Sequence, residues 1–140
     1  MKKILFICRG NVARSQIAKE IFNKQAGENF KALSAGTKLS RGEQTIGEFG
    51  SIVDNLITVT KEEGIDISQN KSKEINREIV SNVDKVILIM DDEDPVPDYL
   101  VDNPKVTRWT IKDPKGKSLE FTRKVRDEIK RRVKELITEL

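Results

Sequence analysis

The stretch Lys2–Ser15, KKILFICRGNVARS, restricts the fold more tightly than any other part of the chain. Ile4 to Ile7 is a short β-branched-rich run of the kind that forms a buried strand, and Cys8 stands where that strand must end. Gly10 and Asn11 tolerate unusual backbone angles, so Cys8 to Ala13 can curl into a concave loop whose N–H groups point inward. From about Arg14 an amphipathic helix begins, with Ile17, Ala18, Ile21 and Phe22 on one face, and its positive dipole end lies against the loop. Both effects favour negative charge on the Cys8 sulfur, the form that acts as a nucleophile. Arg14 can reach back across the loop, and its planar fork of donors suits two oxygens of a tetrahedral oxyanion better than a lysine would. A cysteine and an arginine without this setting would read as a small core residue and a solvated helix residue. A strand, a Gly-Asn pair and an Arg-Ser opening a helix supply the setting.

CRGNVARS resembles the C-x5-R-S phosphate loop of the low-molecular-weight protein tyrosine phosphatases and of the arsenate reductases that share their fold. The resemblance implies that Cys8 is the nucleophile and Arg14 the oxyanion holder. It also implies that Arg9, Gly10, Asn11, Val12, Ala13 and Ser15 form the substrate-binding loop. In that superfamily a Ser-Ala-Gly follows the second strand and its hydroxyl supports the loop through the loop Asn, so Ser34 and Asn11 inherit a supporting role. From the residues alone, Ser34 in SAGT is equally a plain turn serine.

Composition sets the outer bounds. A chain of 140 residues is expected to form one domain with a real core, and its single cysteine permits no internal disulfide. The 26 basic and 23 acidic residues are intermixed, giving a net charge of only +3, so no polybasic tail of the nucleic-acid-binding kind is present. No run of eighteen apolar residues and no charged-then-apolar leader occurs, so a soluble cytoplasmic protein without membrane or nucleic-acid partners is expected. With no histidine and one cysteine, no nitrogen/sulfur metal site is expected.

Further along, the first helix should fade near Ala26-Gly27, and Phe30 to Leu33 reads as a second strand ending in SAGT. Residues 38–48 are polar and should form a surface loop near the cup. Relatives acting on phosphotyrosine generally carry an aromatic residue there, whereas this chain has Leu39, Ser40 and Arg41. Phe49, Ile52, Val53, Leu56 and Ile57 predict an amphipathic helix that covers the sheet and is capped by Gly64. Several relatives carry a histidine after the GIDIS segment, Gly64 to Ser68; Gln69 stands here, so whatever that side chain does around the loop is done by an amide or not at all.

Ile75, Ile79 and Val80 mark a short helix, and Val86 to Met90 is continuous enough to be a central parallel strand. The acidic, proline-punctuated Asp91–Pro104 reads as a solvated loop near the mouth and does not follow an EF-hand pattern. Redox cysteines of the thioredoxin-coupled arsenate reductases lie in this neighbourhood, and none is present here. Val106 to Thr110 predicts a fourth strand, followed by Asp113-Pro114. Asp before proline is a routine turn signal; beside CRGNVARS, the resemblance implies that Asp113 is the general acid. Trp109 and the tail SLEFTRKVRDEIKRRVKELI resemble the arsenate reductase C-terminus, and Lys115 replaces the tyrosine that usually follows Asp-Pro in phosphotyrosine-specific members. Ser118 to Leu140 should be a packing helix with a solvated side.

Four strands alternating with helices predict a doubly wound α/β fold, and the resemblance gives the parallel order 2-1-3-4, with helices on both faces over residues 1–140. The expected activity is hydrolysis of phosphate monoesters, phosphotyrosine-like or small aryl phosphates, through a cysteinyl phosphate and with no cofactor. Substrates would be a phosphorylated protein or a small phosphate ester. The competing activity is arsenate reduction, which with one cysteine needs an external thiol or a redoxin. Phosphotransferase carrier domains also hold a cysteine in such a loop but lack an Arg at this spacing. Loss of aromatic walls at both loop positions argues against tight phosphotyrosine recognition, while Arg9, Lys38 and Arg41 suit a more anionic substrate.

Overall fold

The computed structural model describes residues 1–140. Strand β1 (Lys2–Cys8) leads through the cysteine loop into helix α1 (Arg14–Gln25), and β2 (Phe30–Gly36) follows. A 3-10 segment over Ile46–Val53 runs into α2 (Asp54–Lys61); then come α3 (Arg77–Ser81), β3 (Lys85–Met90), β4 (Val106–Thr110) and α4 (Leu119–Glu139). The four strands form one sheet in the order β2-β1-β3-β4, with every pairing parallel. This is the order that the family resemblance implies.

The apolar runs of β1 and β3 are continuous because both faces of the sheet are covered. Ile4 and Phe6 point into one core with Ile87, Ile89 and Trp109, where Ile17, Ile21 and Phe22 of α1 and Val125, Ile129 and Val133 of α4 meet them. Leu5 and Ile7 point the other way, with Val86, Leu88 and Met90, onto Val80 of α3, Val83 and Leu100. Each such side chain, fully removed from water, contributes roughly 1.5–3 kcal/mol. No helix is long and apolar enough to cross a membrane.

The helix predicted from Phe49 to Ile57 is interrupted. Gly50 takes φ 75°, ψ −148°, which breaks the run into a 3-10 piece and a short α-helix. Periodicity therefore marked the buried side chains but not the kink, and Ile52 is left 46% exposed. Nor does α2 lie on the sheet as expected. It packs against α4 and contributes Leu56 to the same core.

An ionic clamp fastens α2 to α4. Glu62 accepts hydrogen bonds from Arg123 and from Arg126, and Arg126 also donates to the Val59 carbonyl at 3.1 Å. These hydrogen bonds, from Arg123 first and Arg126 second, lower the Glu62 carboxyl from its ordinary 4.5 to about 2. A group whose pKa is depressed by folding stabilises the fold fully above its unfolded value and loses that contribution as pH falls through the folded value. Acid unfolding should therefore include a Glu62 component between pH 4.5 and about 2. Comparing denaturant midpoints of wild type and Glu62→Gln across this range checks it: the difference should be largest above pH 5 and shrink steadily on acidification.

Candidate active site

The cysteine loop is built on the carboxyl edge of the sheet, where β1 and β2 end side by side with Cys8 opposite Gly36. Backbone bonds continue past the strands: Thr37 donates to the Cys8 carbonyl and Lys38 to the Arg9 carbonyl, each at 2.9 Å. On the outer side of β2, the extended segment 71–75 adds a further rung, with Gly36 donating to the Lys73 carbonyl and Ile75 donating to the Gly36 carbonyl. Gly36 is thus wedged between two backbones. A Cβ there would lie 2.7 Å from the Arg9 carbonyl oxygen and 2.9 Å from the Asn11 nitrogen. This is the physical reason for glycine in SAGT.

Of the two residues expected to bend the loop, Asn11 does so, with φ 54°; Gly10 keeps an ordinary negative φ. The turn brings the Asn11 N–H to 3.3 Å from Cys8 Sγ. The Asn11 side chain, fully buried, donates to Ser15 Oγ at 2.7 Å, and Ser15 Oγ lies 2.9 Å from Cys8 Sγ. Because Asn11 already donates to that oxygen, the Ser15 hydroxyl proton is free to point at the sulfur. Behind it, Asn11 Oδ1 accepts from the Lys73 N–H at 2.9 Å, and Gln16 Nε2 donates to the Asn11 carbonyl at 3.1 Å. Asn70 Nδ2 donates in turn to Gln16 Oε1 and to Glu20.

Two sequence expectations are corrected here. Ser34 makes none of these contacts, and Asn11 is instead held by Lys73, Gln16 and Ser15. An amide network does stand around the loop, but its members are Gln16 and Asn70; Gln69 is not part of it.

Arg14 is 2% exposed and donates to the Ile111 carbonyl at 2.9 Å. Its two terminal nitrogens face two carboxylates, Asp94 at 3.5 Å and Asp113 at 3.7 Å. Asp113 is ordered by the Lys115 N–H, which donates to its Oδ1 at 3.0 Å, while its other oxygen faces the arginine. Asp94 belongs to the acidic stretch expected to be merely solvated. Its carboxylate turns inward instead, accepts from the Asp91 N–H at 2.9 Å and sits 3.6 Å from Arg9. No three cysteine or carboxylate groups in the chain converge to hold a metal ion.

One cleft of about 590 Å³ joins these groups. Cys8, Arg9, Gly10, Val12, Ala13 and Arg14 form its base, and Asp94 and Asp113 flank it. Of the loop residues expected to bind substrate, Asn11 and Ser15 lie wholly buried behind this surface, where they touch the sulfur rather than the cleft. The cleft also has an aromatic wall that the sequence reading missed. Phe49, on the 3-10 segment, lines it with the Arg41 guanidinium 5.4 Å above its ring. Residues 38–48 hold no aromatic side chain, and the kinked segment supplies one immediately after.

Residues 3–140 match the family model described as low molecular weight phosphotyrosine protein phosphatase. The chain belongs to the low-molecular-weight phosphotyrosine protein phosphatase family. Among its relatives is Arsenate reductase 2 of Staphylococcus haemolyticus, 35% identical over 129 residues and covering 92% of this chain and 91% of that one. A solved low-molecular-weight protein tyrosine phosphatase from T. tengcongensis superposes over all of both chains with a TM-score of 0.82 at 29% identity. An arsenate reductase solved in a phosphate-binding state gives 0.81 at 30% identity over 99% of this chain and 98% of that one. The family resemblance read from CRGNVARS therefore extends along the whole chain, and its relatives carry two activity names on one fold.

The loop geometry predicts an asymmetry between neighbouring glycines. Gly36→Ala should cost about 1–3 kcal/mol and weaken inorganic phosphate binding, because the intruding methyl meets the backbone of the cysteine loop at Arg9 and Asn11 and the Leu39 side chain. Gly10→Ala, whose Cβ would meet only Val12 at 4.0 Å, should leave stability within about 1 kcal/mol of wild type. Thermal melts and a phosphate titration followed by amide NMR shifts check both.

Proposed function

We propose that this protein hydrolyses phosphate monoesters, phosphotyrosine-like or small aryl phosphates, through a cysteinyl phosphate on Cys8. The observation that carries the reading is the convergence of Cys8, Arg14 and Asp113 on one cleft, with Arg14 held from behind and Asp113 opposite it. Arg14 and the loop N–H groups hold the equatorial oxygens of the phosphoryl group, while the Cys8 sulfur attacks phosphorus in line. The S–P bond forms as the P–O ester bond breaks, and Asp113 gives its proton to the departing oxygen. In the second half, water attacks phosphorus, Asp113 takes its proton, and the electron pair of the S–P bond returns to sulfur. The Ser15 hydroxyl, 2.9 Å away, donates to that sulfur as its charge reappears. No cofactor enters either step.

A second reading, arsenate reduction, is favoured by the names of the relatives at 34–35% identity. There the Cys8 sulfur would attack arsenic, the S–As bond forming as one As–O bond breaks and water leaves, and one external thiol would then attack the adduct sulfur, releasing arsenite and leaving a mixed disulfide. A second thiol would then restore Cys8 and leave as the external disulfide, so two thiols supply the two electrons. The single cysteine of the chain requires this external route.

Three measurements test the site and separate the readings. Cys8→Ser should abolish both turnover of an aryl phosphate and trapping of a phosphoenzyme, and persistence of either removes the assignment. Asp113→Asn should lower kcat by about 10²–10⁴ for phenyl phosphate and less for p-nitrophenyl phosphate, whose leaving oxygen needs the proton less. Arsenate-dependent oxidation of glutathione or a redoxin that outpaces ester hydrolysis would move the protein to the second reading.

A further inference from the structure

The cleft is far more basic than the chain. Across the sequence 26 basic residues nearly balance 23 acidic ones, yet the cleft is lined by six basic residues and only two acidic ones. Both acids, Asp94 and Asp113, are already engaged with Arg14, and Asp94 also with Arg9. That leaves Lys38, Arg41, Lys115 and Lys117, all exposed at the rim and none in an ion pair. They come from two separate loops. Lys38 and Arg41 follow β2, and Arg41 is laid over the Phe49 ring; Lys115 and Lys117 follow Asp113.

The second loop is built rather than loose. Its turn is closed by Lys117 N–H donating to the Pro114 carbonyl at 3.0 Å, and Asn55 Nδ2 on α2 donates to the Lys117 carbonyl at 3.1 Å. The same cleft is lined by the apolar side chains Phe49, Ile52, Val53 and Leu56.

We infer that the substrate entering this cleft is an acidic peptide segment, with carboxylates flanking a phosphorylated aromatic side chain on both sides. The inference rests on the phosphatase reading for the fate of the phosphate and goes beyond it in naming the class of substrate. Arg14 and the loop N–H groups answer the charge of the phosphoryl group, so the four rim cations have no anionic partner within the site and act on whatever surrounds the phosphate. Apolar side chains in the lining, with cations contributed by two separate loops, fit an aromatic ring on a chain that crosses the mouth with acidic residues before and after it. A single-stranded nucleic acid fits less well, because the cleft offers one ring, Phe49, and successive bases have nothing further to stack on. Rim charges of this kind raise encounter rates by one to three orders of magnitude at low ionic strength and lose their effect as salt screens them.

The experiment measures binding of two fluorescent peptides to wild-type protein, each carrying a phosphonodifluoromethyl-phenylalanine that cannot be hydrolysed. One has Glu on both sides of it and the other has Gln. The acidic peptide should bind about 10-fold more tightly at low ionic strength, and the advantage should vanish near 1 M salt, where the screening length is ~3 Å. The pair Arg41→Gln and Lys117→Gln should remove most of the advantage, whereas Lys134→Gln on α4, outside the cleft, should leave it intact. Equal affinity for the two peptides overturns the inference, as does a loss of preference in Lys134→Gln as large as in the rim variant. Displacement of the acidic peptide by an oligothymidylate of the same length and concentration overturns the peptide assignment. Hydrolysis of p-nitrophenyl phosphate is followed separately: its absence removes the phosphatase reading, while the affinity ratio still decides the rim.

Discussion

The site depends on one buried amide. Asn11 must hold a left-handed backbone, φ 54°, for the loop to turn its N–H toward Cys8, and a non-glycine residue pays for that conformation unless its side chain is engaged. Here the side chain is fully engaged. Its amide donates to Ser15 and its oxygen accepts from Lys73 and Gln16. The loop shape, the orientation of the Ser15 hydroxyl and the anchoring of segment 71–75 are therefore one cooperative unit. A network of this kind is rigid when every member is satisfied, and it leaves little freedom for the sulfur at its centre.

The same logic governs Arg14. A guanidinium that is 2% exposed needs partners for its donors, and the fold gives it a carbonyl on one side and two carboxylates on the other. The two carboxylates face it in different settings. The Asp94 side chain is 9% exposed and braced by the Asp91 N–H, so it behaves as a fixed part of the wall. The Asp113 side chain is 44% exposed at the cleft, where solvent and substrate both reach it. On the proposed reading, the fixed acid orients the fork and the accessible one is the proton donor. The difference in exposure separates the two tasks.

Much of this was legible in the sequence because it is local. Strand, loop and helix succeed one another within Lys2–Gln25, and the continuous apolar runs of β1 and β3 follow from burial on both faces. The last strand and the last helix were placed for the same reason, with Ser118 capping α4 through the Phe121 N–H. What stayed hidden is long-range and made by single side chains. Asp94 meets Arg14 across 80 positions, and Asn70 meets Gln16 across 54, so neither leaves a periodic trace. The break at Gly50 was hidden differently, since apolar spacing on either side of a kink still looks like one helix.

The division of labour around the cup also bears on which chemistry the fold favours. Attack by the sulfur and capture of the oxyanion need only the loop and Arg14, and these serve phosphate and arsenate alike. The reactions diverge at the second step, where one needs water activated by a base and the other needs thiols. Along the acidic loop that follows β3, this chain presents a carboxylate against Arg14 and no sulfur. A carboxylate cannot supply electrons to the adduct, so any thiol must come through the mouth, past Lys38, Arg41, Lys115 and Lys117. Asp113 lines that same cleft with its side chain 44% exposed, so solvent reaches it directly. On the proposed hydrolytic reading the base for the second step already lines the cleft, whereas the reductive reading needs a thiol from outside the chain.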